Sequence, residues 1–289
     1  MRGVYTTVLA LGRLGLFPVG RRVGRPEMTT AARAHPELVG CPRAIGCRIA
    51  HFHLRAASHA ADVEITLGHR GRFYNMASMI PAIVLAAGRS SRMGRAKATL
   101  PIDDRDTFLT RIVRTLLDAD VDDVVVVLGH EADAIADSFS QSGLPGRLVV
   151  NPQYDLGQLS SLRAGLALVD RPGIVAALVT LVDVPLVTSA TVRAVLERYR
   201  ETHAPVVRPI SGARHGHPLL VDRSLFDALR AGDDRSGAKP IVRAHATPAG
   251  DVPVADEGAF ADIDTIEDYR RVIGLPTADV FARRPDAVP

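Results

Sequence analysis

Residues 82–97 read AIVLAAGRSSRMGRAK. The first five are small or branched apolar side chains, which suits a parallel strand buried on both faces better than a short helix. At Gly88 the run breaks into a loop carrying Arg89, Ser90, Ser91, Arg92, Gly94, Arg95 and Lys97. Glycine lets backbone N–H groups approach an anion closely, serine hydroxyls donate further hydrogen bonds, and arginine and lysine neutralise charge. The stretch therefore reads as a strand opening into a phosphate-binding loop at the carboxyl edge of a sheet. Spacing excludes two common phosphate loops: Lys97 does not directly follow Gly94, as a Walker loop requires, and no G-x-G-x-x-G is present.

Downstream, apolar periodicity alternates between helix and strand. Leu109, Ile112, Val113, Leu116 and Leu117 recur at helical spacing, and Val124 to Leu128 is an unbroken VVVVL strand. Leu148 to Val150, Ala176 to Val182 and Pro205 to Val207 read as further strands. Helices are expected through Leu159, Leu162, Leu166 and Val169, with Ser160 or Ser161 as a candidate cap, and through Val192, Val195, Leu196 and Tyr199. Ser224 is read as the start of another helix, and Thr265 with Asp268 as a capping box for a final one. This order predicts a three-layer α/β/α, Rossmann-like fold with a mostly parallel sheet. Asp183, in VDVP at a strand end, stands where open α/β sheets bind ligands.

At these residues the chain resembles a known family. LAAGRSSRMGRAK is similar to the LAAG-x-S-x-RMG-x-x-K motif of nucleotidyltransferases that activate molybdopterin, sugar phosphates and related acceptors, nearest to the molybdenum cofactor cytidylyltransferase branch. Three later segments extend the likeness: NPQYDLGQLSSL at 151–162, GHPLL at 216–220 and DIDTIEDY at 262–269. The resemblance implies transfer of CMP from CTP to a phosphorylated acceptor, most simply molybdopterin, with release of pyrophosphate. Arg92, Lys97 and Asp183 are then the catalytic residues. Leu85, Ala86, Ala87, Gly88, Ser90, Lys97, Gly157, Gln158, Ser160 and Ser161 are expected to contact the nucleotide. Arg214 and His217 are expected at the acceptor, and Mg²⁺ at Asp183 with Asp262 or Asp264. Lys239 stands where the family has an arginine, and Val182 where it has a glycine. Guanylyl or sugar-phosphate transfer, and a non-catalytic nucleotide-binding maturation factor, are the alternatives. A molybdenum hydroxylase apoenzyme is the implied recipient of the product.

Composition agrees with a globular enzyme. The 289 residues are 47% hydrophobic, and no uncharged apolar run reaches the roughly 18 residues of a membrane span. Two cysteines indicate no disulfide framework and fit a cytoplasmic protein. The net charge of +3 is concentrated at the front: residues 1–78 hold eleven arginines, no lysine and four acidic residues, so the remainder is net acidic. With no tryptophan and only 4% aromatic residues, a nucleic-acid partner is disfavoured. Residues 1–78 show no sustained period and are read as a poorly structured arginine-rich extension, upstream of a working start at Met76 or Met79. Residues 79–274 are expected to form the nucleotidyltransferase domain that the resemblance implies, and 275–289 a flexible tail. Cys41, Cys47, His51 and His53 match no common zinc spacing, and GHEAD at 129–133 lacks the second histidine of a metalloprotease helix.

Overall fold

The structure, a computed structural model, describes residues 78–274 and Val280. The readings of residues 1–77 as an extension, and of most of 275–289 as a tail, lie outside the described residues.

Strand β1 (Ala82–Ala86) leads through the polar loop to helix α1 (Phe108–Asp118), then β2 (Val124–Leu128), α2 (Ala132–Gln141), β3 (Arg147–Val150), α3 (Gln158–Val169), β4 (Ala176–Leu181) and α4 (Ser189–Thr202). The second half adds β5 (Val206–Ser211), β6 (Arg214–His215), β7 (Leu219–Asp222), α5 (Phe226–Ala231), α6 (Lys239–His245), β8 (Asp251–Pro253) and α7 (Ile266–Ile273). One sheet runs β3-β2-β1-β4-β7-β5-β6, with β8 paired to β5. Strands β3, β2, β1 and β4 are parallel, and β7 joins β4 antiparallel. The sheet is therefore mixed, and its parallel part carries the loops that matter for function.

Both faces of β1 are covered, which explains its continuous apolar run. Ala82, Val84 and Ala86 pack with Leu109, Ile112, Ile135, Val192 and Val195 of α1, α2 and α4. Ile83 and Leu85 turn the other way, against Leu159, Leu162 and Leu166 of α3 and Phe226 and Leu229 of α5. Period-two alternation thus feeds two cores and yields the three expected layers. Helix α3 lies so close to β1 that a Cβ on Gly165 would stand 2.5 Å from Ile83 Cγ2.

A third core cluster ties the chain's end to the phosphate-type loop. Met93, Leu100, Ile102 and Phe108 pack with Ile263 and Tyr269, and Val280 lies against them. The Tyr269 hydroxyl donates to the Pro101 carbonyl at 2.7 Å. Thr265 and Asp268 form the expected capping box of α7. The helix read from Ser224 differs: Arg223–Leu225 is a 3-10 turn, capped by Asp222 through the Ser224 N–H, and the α-helix starts at Phe226. Asp222, the last residue of β7, takes the N-cap position, so Ser224 falls inside the 3-10 turn.

Candidate active site

The carboxyl ends of β1 and β4 and the start of α3 enclose a cleft of about 340 Å³. From β1 and its loop come Leu85, Ala86, Ala87, Gly88, Ser90, Arg92 and Lys97; from the α3 side, Gly157, Gln158 and Ser161; from β4 and the last turn, Asp183 and Asp264. These residues, named from sequence motifs far apart in the chain, share one wall-to-wall space. The parallel strands place them there because their carboxyl ends all open on the same edge.

Charge is segregated within the cleft. Lys97 is 9% exposed, and its Nζ lies 2.5 Å from Asp264 Oδ1 and 3.4 Å from Asp183 Oδ2. Arg92, more exposed, donates to Asp264 Oδ2 at 2.9 Å. The bond from Lys97 and the charges of Lys97 and Arg92 hold the Asp264 carboxyl below its usual range against the effect of burial. Of the other lining residues, Ala87, Tyr154, Gly157, Gln158 and Ser161 carry no formal charge. Ser90 organises the loop itself: its Oγ accepts from the Lys97 N–H at 3.1 Å and its carbonyl from the Met93 N–H at 2.8 Å.

Asp262 and Asp264 have different surroundings. Asp262 is outside the cleft lining, and loss of hydration together with the charge of Asp183 pushes its carboxyl above the usual range. The Ile263 N–H between them donates to the Asp183 carbonyl at 2.9 Å, locking this turn to the end of β4. Asp183 Oδ1 is buried without a hydrogen-bond partner.

Other expected residues lie elsewhere. Ser160 does not line the cleft; it sits in the first turn of α3, accepts from Asn151 Nδ2 at 2.9 Å and donates to the carbonyls of Gln153 and Gly157. Neither Ser160 nor Ser161 is the N-cap, which is Gly157. Arg214 is also outside: both terminal nitrogens donate to Glu257 at 2.8 Å, and the guanidinium covers the Phe260 ring. His217 is turned toward the Val179 carbonyl at 3.4 Å, and burial pushes its imidazole below the ordinary value against the charges of Asp183 and Asp262. Of the loop arginines, Arg89 pairs with Asp155 and Arg95 donates to the Val280 carbonyl at 2.7 Å. Lys239 is an exposed residue at the start of α6.

Ser91, Ala96, Ala98, Ile135, Tyr154, Leu181 and Val182 also line the cleft. Tyr154 stood inside the quoted NPQY segment and was available to the sequence argument. Ile135 was not, since it reads as an ordinary apolar helix position.

The MobA-like NTP transferase domain matches residues 82–249. The chain belongs to this family. As a MobA-like nucleotidyltransferase it is 32% identical over 210 residues to nicotine blue oxidoreductase of Paenarthrobacter nicotinovorans, an alignment covering 67% of this chain and 96% of the relative. It is 30% identical over 188 residues to a probable molybdenum cofactor guanylyltransferase of Mycobacterium tuberculosis, covering 60% and 88%. Among solved structures, Rv0371c of Mycobacterium tuberculosis superposes with a TM-score of 0.57 at 28% identity, covering 69% of this chain and 100% of that one. A nucleotidyl transferase from Methanothermobacter thermautotroptrophicus superposes with a TM-score of 0.57 at 27% identity, covering 68% and 96%. Among the described residues no helix is long and apolar enough to cross a membrane.

Proposed function

We propose that this MobA-like nucleotidyltransferase moves CMP from CTP onto a phosphorylated acceptor of the molybdopterin type. The observation that carries the reading is Lys97: a buried ammonium between Asp264 and Asp183, at the base of a polar loop, in a cleft whose lining also holds uncharged residues. That arrangement suits a triphosphate at one end and a base with its ribose at the other. Lys97 and Arg92, positioned by Asp264, donate to β- and γ-phosphate oxygens, and their charge favours departure of pyrophosphate. An acceptor phosphate oxygen attacks the α-phosphorus in line, and the bond from that phosphorus to the bridging oxygen of pyrophosphate breaks. The acceptor is already ionised, so no side chain needs to remove a proton, and catalysis is positioning and charge neutralisation.

The family resemblance implies a divalent metal, and the residues present fit one. The unpartnered Asp183 Oδ1 and the repulsion between Asp183 and Asp262 are both relieved by a cation, for which hard oxygen donors are suited. Asp183 and Asp262 would hold it, while Asp264, neutralised by Lys97 and Arg92, acts as the holder of those two cations. When bound, the ion would add positive charge at the reacting phosphate. Rv0371c, 27% identical in a second structure, is solved in complex with manganese.

The base preference rests on the LAAG of residues 85–88, which at Ala87 resembles the cytidylyltransferase branch. The mycobacterial relatives are named guanylyltransferases, so GTP is the competing donor. A molybdenum hydroxylase apoenzyme is the proposed recipient. A second reading is favoured by the relative named an oxidoreductase, which aligns over 96% of its length. It would place an electron-donating nucleotide in the same cleft.

One panel separates these readings. The full chain is incubated with each of CTP, GTP, ATP and UTP, with Mg²⁺ or Mn²⁺, with and without molybdopterin, and pyrophosphate is measured. NADH and NADPH oxidation is followed in parallel. Pyrophosphate from CTP only when molybdopterin is present is the expected result. Oxidation of a nicotinamide nucleotide without pyrophosphate release would replace this reading with the second.

A further inference from the structure

Three neighbouring parallel strands, β1, β2 and β3, end in loops that meet around Tyr154, in the lining of the cleft. Arg89, following β1, lies over the Tyr154 ring with 5.6 Å from its guanidinium carbon to the ring centroid. The same guanidinium makes a two-point ion pair with Asp155, Nε and a terminal nitrogen each donating at 2.9 Å. His130, following β2, tilts against the Tyr154 ring with centroids 6.1 Å apart, and its backbone N–H donates to the Ala87 carbonyl at 3.1 Å. Behind these contacts there is no slack. A Cβ on Gly129 would stand 2.7 Å from Tyr154 Cβ, 2.7 Å from the Ala87 oxygen and 2.8 Å from Ala87 Cβ.

Of this set, Ala87 and Tyr154 line the cleft. The charged residues that suit phosphates, Arg92, Lys97, Asp183 and Asp264, line the same cleft as a separate group joined by ion pairs. A nucleotide laid with its phosphates there directs its base toward Ala87 and the Tyr154 ring. An aromatic ring offers a stacking or edge contact to any base. A ring that can move aside accepts large and small bases alike; one held by a cation, a second ring and a close-packed backbone does not.

We propose that Tyr154 is the base-size determinant of this enzyme, a wall clamped by Arg89, Asp155 and His130 that favours a pyrimidine over a purine nucleotide. The proposal deepens the nucleotidyltransferase reading and rests on it. It also accounts for an ion pair that would otherwise be spent on the surface: both partners are more than half exposed, a setting in which such a pair contributes little to stability. Its role is to keep the loop after β3 against the loop after β1.

The test compares CTP and GTP on the full chain, by direct binding and by pyrophosphate release. Tyr154→Ala opens the wall, and the CTP-to-GTP affinity ratio falls by about tenfold, the scale on which pocket size discriminates. Tyr154→Phe keeps the ring and the wild-type ratio. Asp155→Ala frees the clamp while leaving the ring, and shifts the ratio in the same direction by a smaller factor. An unchanged ratio in Tyr154→Ala, or a wild-type preference for GTP, overturns the proposal. A shifted binding ratio without pyrophosphate release from any variant leaves the wall standing and rejects the transferase reading instead. Failure of the wild-type chain to bind either nucleotide rejects both.

Discussion

Lys97 Nζ lies 2.5 Å from Asp264 Oδ1, a contact between groups 167 residues apart in sequence that joins the loop after the first strand to the last turn before α7. The Lys97 ammonium also reaches Asp183 at 3.4 Å, so one buried cation spans two carboxylates delivered by different elements. Without a bound nucleotide this pairing keeps each charge compensated.

The division of labour between Asp264 and Asp262 gives the first prediction. Asp264→Asn loosens Lys97 and Arg92, and the KM for the nucleoside triphosphate rises by roughly tenfold, the loss of about one charge-assisted hydrogen bond. The metal concentration for half-maximal activity stays the same. Steady-state kinetics over nucleotide and metal concentrations read both quantities.

Asp183→Asn and Asp262→Asn act on the other quantity. Each raises the metal concentration needed for half-activation and lowers kcat by at least about 100-fold, the scale of removing one preorganised electrostatic contact. Thermal melting of metal-free Asp262→Asn is unchanged or higher, since the substitution removes one member of a repelling pair. Equal metal dependence in Asp262→Asn and Asp264→Asn would reject the assignment of the two carboxylates.

Met93 tests whether the third core cluster supports the loop. It is 1% exposed and packs with Phe108, Ile263 and Tyr269. Met93→Ala is expected to cost about 2–4 kcal/mol in urea unfolding, through lost burial and a residual cavity. It should also raise the triphosphate KM, because Met93 lies between Arg92 and Lys97. Leu229→Ala, at an equally buried position beneath the opposite face of the sheet, costs similar stability and leaves KM unchanged.

The Asp106 network predicts acid sensitivity. Burial alone would raise the Asp106 carboxyl, but hydrogen bonds from Arg114 and Thr110 and the charges of Arg114 and Arg111 outweigh it and hold the group below its usual range. A folded-state value below the unfolded one contributes stability above the ordinary carboxylate range, near 4, and loses it as pH falls through that range and below. Asp106→Asn should cost about 3 kcal/mol at pH 7, with the difference from wild type shrinking toward pH 3. Denaturant midpoints of both proteins at the two pH values measure this.

The sheet's parallel part was legible because β1 and β2 are uninterrupted apolar runs and β4 is broken only by Thr180, a pattern that suits strands covered on both faces. The antiparallel joining of β7 to β4 was not, since neither local periodicity nor turn chemistry states which edge a returning strand will take. Most of the expected nucleotide contacts line one cleft because they came from motifs at strand ends, where the fold concentrates them. Arg214 and His217 were selected from a polar turn whose GHPLL resembles the family's acceptor-lining segment. Their actual partners, Glu257 and the Val179 carbonyl, belong to distant elements that no local pattern announces.

By itself the amino-acid sequence determined the α/β alternation, the anion-suited chemistry of residues 88–97 and the acidic residues at two later strand or turn ends, all properties of short stretches. Only the tertiary structure decided which of those charges face each other. It gave Asp262 and Asp264 different surroundings, paired Arg89 with Asp155 and Arg95 with the Val280 carbonyl, and brought Tyr154 into the cleft lining. Side-chain pairing depends on distances across the sheet edge, and those are set by how β1, β2, β3 and β4 stack side by side rather than by the order of residues along any one of them.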